Sequence, residues 1–473
     1  MPKEAVPGRA GASDRGARRL ELAGVVAGAV AFIWLRAQFA YDDFPNPDMA
    51  GMAYNADVLL RGGLPYRDTV EFKSPGTFFV YAACFAAFGR ALMPIQIAYA
   101  GWLASGAVAV WLASRHLYRD SGGGRGLAAG LYLGLTASFA PNYAAWMVPA
   151  YAWAFAAVVV ASARGSPLLH GLAGAWAGIA FLFKAQACVL AVVFVAVWSW
   201  ARRRGWGGAN VLAPLCWVLG GLLAFAPLVG RYAWAGALES LWRGVVPVAV
   251  ASDYATSSAS VGLDLAWRVP GQLITVFPLG SMLAAVAAFG AWRTRRVDTL
   301  VPAAVLLLAA VLAAGLGGQR YYLHYLVQYV PGLAVIAAHP AWIDGLTWSG
   351  RRASTQRVAR LVGAGLVVVG VGLELGRVLR TGGHRYEAMA RRLEDGRTPA
   401  QAVGEHIRVR SGPDETMWAW GWTAWRAYFW ADRAACTAVY KPMGVLTTFN
   451  QNTAFSDGGV IMWRAGPRAD EVV

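Results

Sequence analysis

The chain is a succession of uncharged apolar runs, and this feature restricts it to folds that use lipid as solvent. A helix that crosses a hydrocarbon core of about 30 Å needs roughly 17–25 such residues. Runs near that length stand at 20–40, 92–114, 125–141, 143–162, 167–184, 187–201, 211–230, 271–292, 299–317, 321–338 and 356–378. Only 14% of the residues are charged, whereas a soluble domain carries about a quarter. The net charge of +16 would otherwise point to nucleic acid. Most of the excess lies in short loops between apolar runs, where Lys and Arg mark the cytoplasmic side, so no nucleic-acid partner is expected.

A further run, Gly76 to Gly89 (GTFFVYAACFAAFG), covers only about 21 Å as a helix. Charge decides whether it crosses. With the N-terminus inside and this run in the interface, the inner segments 1–19, 113–125, 162–167, 201–210, 292–298 and 339–360 hold 19 Lys/Arg. The outer segments 41–91, 184–186, 231–270 and 318–320 then hold 9. If the run crossed, 14 of the inner cations would face outward, against the positive-inside rule.

The expected architecture is therefore an all-α polytopic membrane protein of about eleven transmembrane helices, with an interfacial helical first outer loop. A small C-terminal α/β domain follows outside. Residues 1–380 form the membrane-embedded part with outer loops 41–91 and 231–270, and 381–473 the small soluble part. The first apolar run lacks a small-residue cleavage site and reads as a retained span. In the tail, Thr398 and Pro399 look like an N-cap and first helical position. Segments 415–420 and 434–440 read as short strands. Cys84, Cys188, Cys216 and Cys436 fit neither a metal spacing nor a disulfide framework.

The first outer loop carries six carboxylates, Asp42, Asp43, Asp48, Asp57, Asp68 and Glu71, against Arg61, Arg67 and Lys73. Solvated loop charge is the plain account of most of them. Asp48 stands out because Pro45 and Pro47 pin it just beyond the first span.

The run from Asp48 through GGLPYRD (62–68) and EFKSPG (71–76) to FAAFG (85–89) resembles the first loop of the C-type, polytopic glycosyltransferases. It is most similar to bacterial members of the dolichyl-phosphate-mannose–protein mannosyltransferase and aminoarabinose-transferase kind. GQRYYLHYLVQYVPGLAVIAA (318–338) is similar to a late Arg/Tyr/His segment of that family. GIAFLFKAQA (178–187) resembles a segment with a Lys at a span's outer end, and 415–440 a small outer domain. Met49 stands where the family has Glu, Ser74 replaces the first Pro of a Lys-Pro-Pro-like turn, and the second outer turn (APNYAAW, 140–146) has Asn142 instead of a carboxylate. A divalent metal is possible in such a family, but no carboxylate pair supports one here.

The resemblance implies inverting transfer of a sugar from a polyprenyl-phosphate carrier to a glycan, lipid or protein acceptor. Phosphate is already a good leaving group, so the two carboxylates of an ordinary glycosidase reduce to one base that takes the acceptor proton. Asp48 is the candidate base and Glu71 the alternative. Lys73, Lys184, Arg320, Tyr321, His324 and Tyr325 are candidates for donor contact. Asp48, Lys184, Arg320 and His324 all fall on the outer side of the topology that charge alone dictates.

Each residue has a plainer alternative. Lys184 and Arg36 could snorkel, Arg320 could meet lipid headgroups, and His324 could be a packed core residue. Tyr321, Tyr322 and Tyr325 could be interfacial anchors. Trp418, Trp420, Trp422 and Trp425 could form a carbohydrate platform or a small core, and Glu374 has no assigned role. A transporter or flippase of lipid-linked sugar, or an inactive lipid-sugar-binding relative, is the alternative function. The compact loops and absence of organellar signals point to a bacterial inner membrane with the tail in the periplasm.

Overall fold

The computed structural model describes residues 10–40, 42–44, 46–118, 125–206, 211–246, 266–316, 318–341, 397–421 and 424–441, with a few isolated positions beyond them. The candidate span 356–378, Glu374 and Trp422 lie outside these residues. The described part is mostly helical. Its first helices are α1 (Ala10–Ala37), α2 (Pro47–Leu60), α3 (Gly76–Phe88), α4 (Met93–Leu117) and α5 (Arg125–Thr136). There follow α6 (Tyr143–Arg164), α7 (Pro167–Phe183), α8 (Leu190–Arg203), α9 (Ala213–Trp234) and α10 (Leu238–Val245). The later ones are α11 (Val269–Val276), α12 (Pro278–Arg293), α13 (Val301–Leu316), α14 (Val330–Ala337), α15 (Pro399–Arg410) and α16 (Arg426–Ala431). Six helical stretches, Arg19–Ala37, Met93–Leu117, Tyr143–Arg164, Ala185–Arg203, Ala213–Trp234 and Val297–Leu316, are long and apolar enough to cross a membrane. The chain is a multi-pass membrane protein.

The expected span 271–292 is instead two helices, α11 and α12, bent by 113°. The break falls at Phe277, whose φ −127° and ψ 58° are not helical. Pro278 follows, and a proline disfavours the helical region for the residue before it. The segment at 321–338 is shortened as a helix but not in reach. A seven-residue 3₁₀ stretch, Leu323–Tyr329, precedes the eight residues of α14. With a 3₁₀ rise of about 2.0 Å and an α rise of 1.5 Å, the two cover about 26 Å.

Contacts sort the helix ends onto two faces. At one, Tyr118 after α4 donates to the Val335 carbonyl at 2.8 Å, its ring lies 4.7 Å from His339, and Thr299 meets His339 at 2.7 Å. Trp200 near the end of α8 donates to the Asp298 carbonyl at 2.9 Å on the same side. At the other, Arg36 ends α1 by donating to the carbonyls of Ala137 and Phe139 just beyond α5. It is a clamp between helices rather than a snorkelling cation. Helix α5 runs beside α1 in the same direction, with Gly126 near Glu21 and Leu133 near Gly28, so its 12 residues connect the two faces.

Helix α3 does not. Gly76 at its start abuts Leu182 and Phe183 at the end of α7. Beyond its other end, Arg90 pairs with Asp57 and the Leu92 N–H donates to Asp42 at 2.6 Å. Both ends touch the Arg36 face. The pair α7 and α9 packs closely because glycines line it. A Cβ on Gly174 would stand 1.8 Å from the Trp217 carbonyl oxygen, and one on Gly220 1.8 Å from that of Gly171. Small residues at such crossings let membrane helices approach backbone to backbone.

The C-terminal segment packs on the first loop. Thr398 caps α15 with Gln401 in a reciprocal capping box, and the Gln401 side chain also donates to the Asp42 carbonyl at 2.9 Å. Among the described residues no strand forms at 415–420 or 434–440, where the one pairing is an isolated bridge between Met417 and Ala435. The physical reason is that the backbone groups find other partners. Ala435 N–H donates to the Tyr54 hydroxyl, Ala419 N–H to the Tyr428 hydroxyl, and the Ala438 carbonyl accepts from Val70 N–H.

Candidate active site

The site is built where the first loop, the end of α7 and the 3₁₀ stretch before α14 converge. In GGLPYRD, Asp68 accepts from the Leu64 N–H at 2.7 Å and pairs with Arg67, closing a tight turn over Gly63. Tyr66 is held at φ 66°, a conformation that costs a non-glycine residue energy. Its hydroxyl donates to the Lys73 carbonyl, while the Tyr232 hydroxyl of α9 donates to Pro65 at 2.7 Å. GGLPYRD is thus scaffold, and its ring fixes the turn from which Lys73 projects.

Asp48 occupies the first turn of α2, behind an Asn46 cap that accepts from its N–H at 2.8 Å. A carboxylate is favoured at a helix N-terminus. The Lys73 ammonium lies 3.8 Å from Asp48 and the Asp48 side chain is 35% exposed, so a substrate can reach it. The ammonium also sits 5.0 Å from the Tyr143 ring centroid. Lys184, the residue that ends α7, places its ammonium 3.7 Å from the Tyr325 ring centroid, and Tyr325 in turn packs edge-on against His324 at 4.6 Å. Burial works to raise the Asp48 pKa, but Lys73, His324, Lys441 and Lys184 act against it and hold the carboxyl below its ordinary 3.8.

Of the residues chosen from sequence, Asp48, Lys73, Lys184 and His324 come together, with Tyr325 beneath Lys184. Arg320 is 2% exposed. It donates to the Tyr322 hydroxyl at 2.9 Å, and Tyr322 stacks on His324 at 5.3 Å. It therefore connects to the cluster through aromatic rings. Tyr321 is buried, takes φ 47°, and its hydroxyl lies against Gly315. Glu71 is enclosed. Its Oε1 accepts from the N–H groups of Phe72 and Lys73 at 2.8 and 3.2 Å and from Lys441 at 2.6 Å. Its Oε2 accepts from the Tyr440 hydroxyl and from Lys441. Burial would raise the Glu71 pKa, yet Lys441 and these hydrogen bonds bring it below its ordinary 4.5.

Sequence reasoning missed Lys441, Tyr440 and Tyr143. No spacing signals them, since the first two meet Glu71 across some 370 residues of chain. In the tail, Trp425 is buried and Trp420 half exposed. Trp418 donates to the Val439 carbonyl at 3.0 Å and packs 5.3 Å from Trp420, which packs 5.5 Å from Trp463. Among the described residues no group of three His, Cys, Asp or Glu side chains could hold a metal ion.

No protein-family model matches the sequence, and no curated protein matches it either. Solved structures do match the fold. ArnT from Cupriavidus metallidurans bound to undecaprenyl phosphate superposes with a TM-score of 0.57 at 14% identity, over 89% of this chain and 85% of that one. Its apo state gives 0.59 at 14% identity, over 90% and 86%. The oligosaccharyltransferase of Archaeoglobus fulgidus, in complex with Zn and sulfate, gives 0.50 at 12% identity, over 92% of this chain and 63% of that one. The chain thus has the fold of the C-type membrane glycosyltransferases.

Proposed function

We propose that this chain is an inverting glycosyltransferase that moves a sugar from a polyprenyl-phosphate carrier to an acceptor at the outer face of a bacterial inner membrane. The observation that carries this reading is one reachable carboxylate, Asp48, set among the ammonium groups of Lys73 and Lys184 at the end of a membrane helix. Asp48 takes the proton of the acceptor hydroxyl, whose oxygen forms a bond to the anomeric carbon. The bond from that carbon to the phosphate oxygen breaks on the opposite side, inverting the centre. The lipid phosphate leaves with the electron pair, and Lys73 and Lys184 stabilise its charge as it develops. Arg320, the stacked Tyr322 and His324, and the edge-on Tyr325 form the wall behind them. Charge concentrated at one face favours this over a transporter, whose sites lie near the midplane.

The fold supports ten crossings among the described residues: α1, α4, α5, α6, α7, α8 with its preceding 3₁₀ turn, α9, α12, α13, and the 3₁₀ stretch with α14. The run 356–378 would be the eleventh. The face opposite the site carries Arg115, Arg202, Arg203, Arg204, Arg293, Arg295 and Arg296, which favours that face as cytoplasmic. Single cysteines in a background with the four native cysteines changed to serine test this. Thr416→Cys, on the tail, is expected to react with an impermeant thiol reagent in intact cells, and Val297→Cys to be protected. The reverse pattern would turn the molecule over.

The donor assignment is tested by Lys184→Met, which keeps most of the side-chain volume without the charge. A charge-assisted contact to phosphate contributes about 1.5–3 kcal/mol, so affinity for undecaprenyl phosphate is expected to fall roughly ten- to a hundredfold. Unchanged affinity in a correctly inserted protein would reduce Lys184 to a boundary anchor.

A further inference from the structure

Glu71 faces the backbone N–H groups of Phe72 and Lys73, the hydroxyl of Tyr440 and the ammonium of Lys441. Tyr66 and Tyr143 also lie close enough to feel its charge. Its side chain is fully buried and that of Lys441 is 9% exposed. Lys441 also lies over the Phe72 ring at 4.7 Å. The Tyr440 ring stacks on Tyr54 of α2 at 4.4 Å, and its hydroxyl receives a bond from Asn55 at 3.1 Å. A buried carboxylate needs both charge neutralisation and hydrogen bonds. Here the neutralising cation comes from the far end of the chain, while the bonds go to the turn that projects Lys73 toward Asp48.

We propose that Lys441 is a positioning residue for the lipid-phosphate site. By neutralising Glu71 it holds the Phe72–Lys73 turn, so the C-terminal segment completes the active site. The inference rests on the reading of Lys73 and Lys184 as phosphate ligands. Lys441 acts through Glu71, whose two carboxylate oxygens its ammonium binds. The segment is held there by more than this pair. Arg61 and Arg90 of the first loop both bind Asp432, and Phe429 packs edge-on against Phe44 at 5.2 Å.

Removing one partner of a buried pair leaves an uncompensated charge, whereas replacing both by neutral groups is tolerated far better. Lys441→Gln is therefore expected to weaken binding of undecaprenyl phosphate about tenfold near neutral pH. The loss should be pH-dependent in a stated direction. Without Lys441, burial raises the Glu71 pKa, so Glu71 is protonated at low pH and regains its charge as pH rises. Affinity in Lys441→Gln should therefore recover on lowering pH, where protonated Glu71 carries no uncompensated charge, a limb the parent lacks. Glu71→Gln combined with Lys441→Gln should restore most of the affinity and abolish that limb, because the amide oxygen introduced at position 71 can still accept from the turn. A uniform loss at every pH, or no recovery in the double variant, would leave the pair merely structural and overturn the proposal. The binding readout also separates this from the transfer reaction. A parent that binds undecaprenyl phosphate with this coupling but never transfers sugar loses the enzymatic reading and keeps the lock. A parent that binds no lipid phosphate loses both.

Discussion

Asp48→Asn is expected to lower turnover about 10²–10⁴-fold, the usual contribution of a general base, while lipid-phosphate affinity stays constant or tightens. The two halves of that expectation have one cause. Asn keeps the size of Asp and can still accept hydrogen bonds, but it cannot take the acceptor's proton. It also removes a negative charge set beside Lys73 and near Lys184, which leaves those cations freer to hold a phosphate. Folding should change little, since Asn46 keeps its cap on α2 and a lost first-turn charge costs typically 0.3–1 kcal/mol. Because its pKa lies below 3.8, Asp48 is ionised through the neutral range and loses its charge only as pH falls through that lowered value. Any acid limb in the parent near pH 6 must then come from another group. Asp68→Asn serves as the control for loop charge, because Asp68 is occupied by Leu64 and Arg67. Turnover and affinity measured on the same preparation decide the matter. Wild-type turnover in Asp48→Asn would end the single-base mechanism.

What the sequence made legible was local in character. Apolar run length and loop charge located the helices and kept 76–89 from crossing, and both are properties of contiguous residues. Asp48, Lys73, Lys184 and His324 could be chosen because each lies next to a helix end or an unusual turn. Most of the failures have the opposite cause. The 3₁₀ stretch of Leu323–Tyr329 and the bend at Phe277 lie within continuous apolar runs, so run length is blind to them, and only Pro278 marks the bend locally. The segments 415–420 and 434–440 have strand-like composition, but beyond the bridge at Met417 and Ala435 their backbone groups bond to Tyr54, Tyr428 and Val70. Two of those lie in the first loop, remote in sequence. Lys441 was invisible for the same reason: an ion pair formed across the length of the chain leaves no spacing to read. Glu71 reads as the alternative base because it is a carboxylate just before the Lys73-Ser74-Pro75 turn. Its burial and its set of donors are tertiary facts.

Gly76→Ala is expected to lower turnover about a hundredfold although the residue touches no substrate. An added Cβ would stand 2.7 Å from the Leu182 carbonyl oxygen, 2.8 Å from its carbonyl carbon and 3.1 Å from the Phe183 nitrogen. These are backbone atoms of the last turn of α7, which cannot swing aside as a side chain would, so helix α3 itself must back away. Lys73 lies three residues before this contact and Lys184 two residues after Leu182. Gly76 therefore sets the separation of the two cations on which the phosphate is proposed to rest. A displacement approaching 1 Å at a catalytic constellation can cost about 10²-fold, and overpacking typically costs 1–3 kcal/mol of stability besides. Gly130→Ala is the matched control, since nothing lies within 4 Å of its added Cβ and alanine is the better helix former. The expected pattern is a folded, inserted Gly76→Ala protein with weakened donor affinity and low turnover, beside a Gly130→Ala protein with parental activity. Should Gly76→Ala turn over at the parental rate, the contact between α3 and α7 does not register the site, and the placement of Lys73 must depend on the first loop and its Glu71 lock alone.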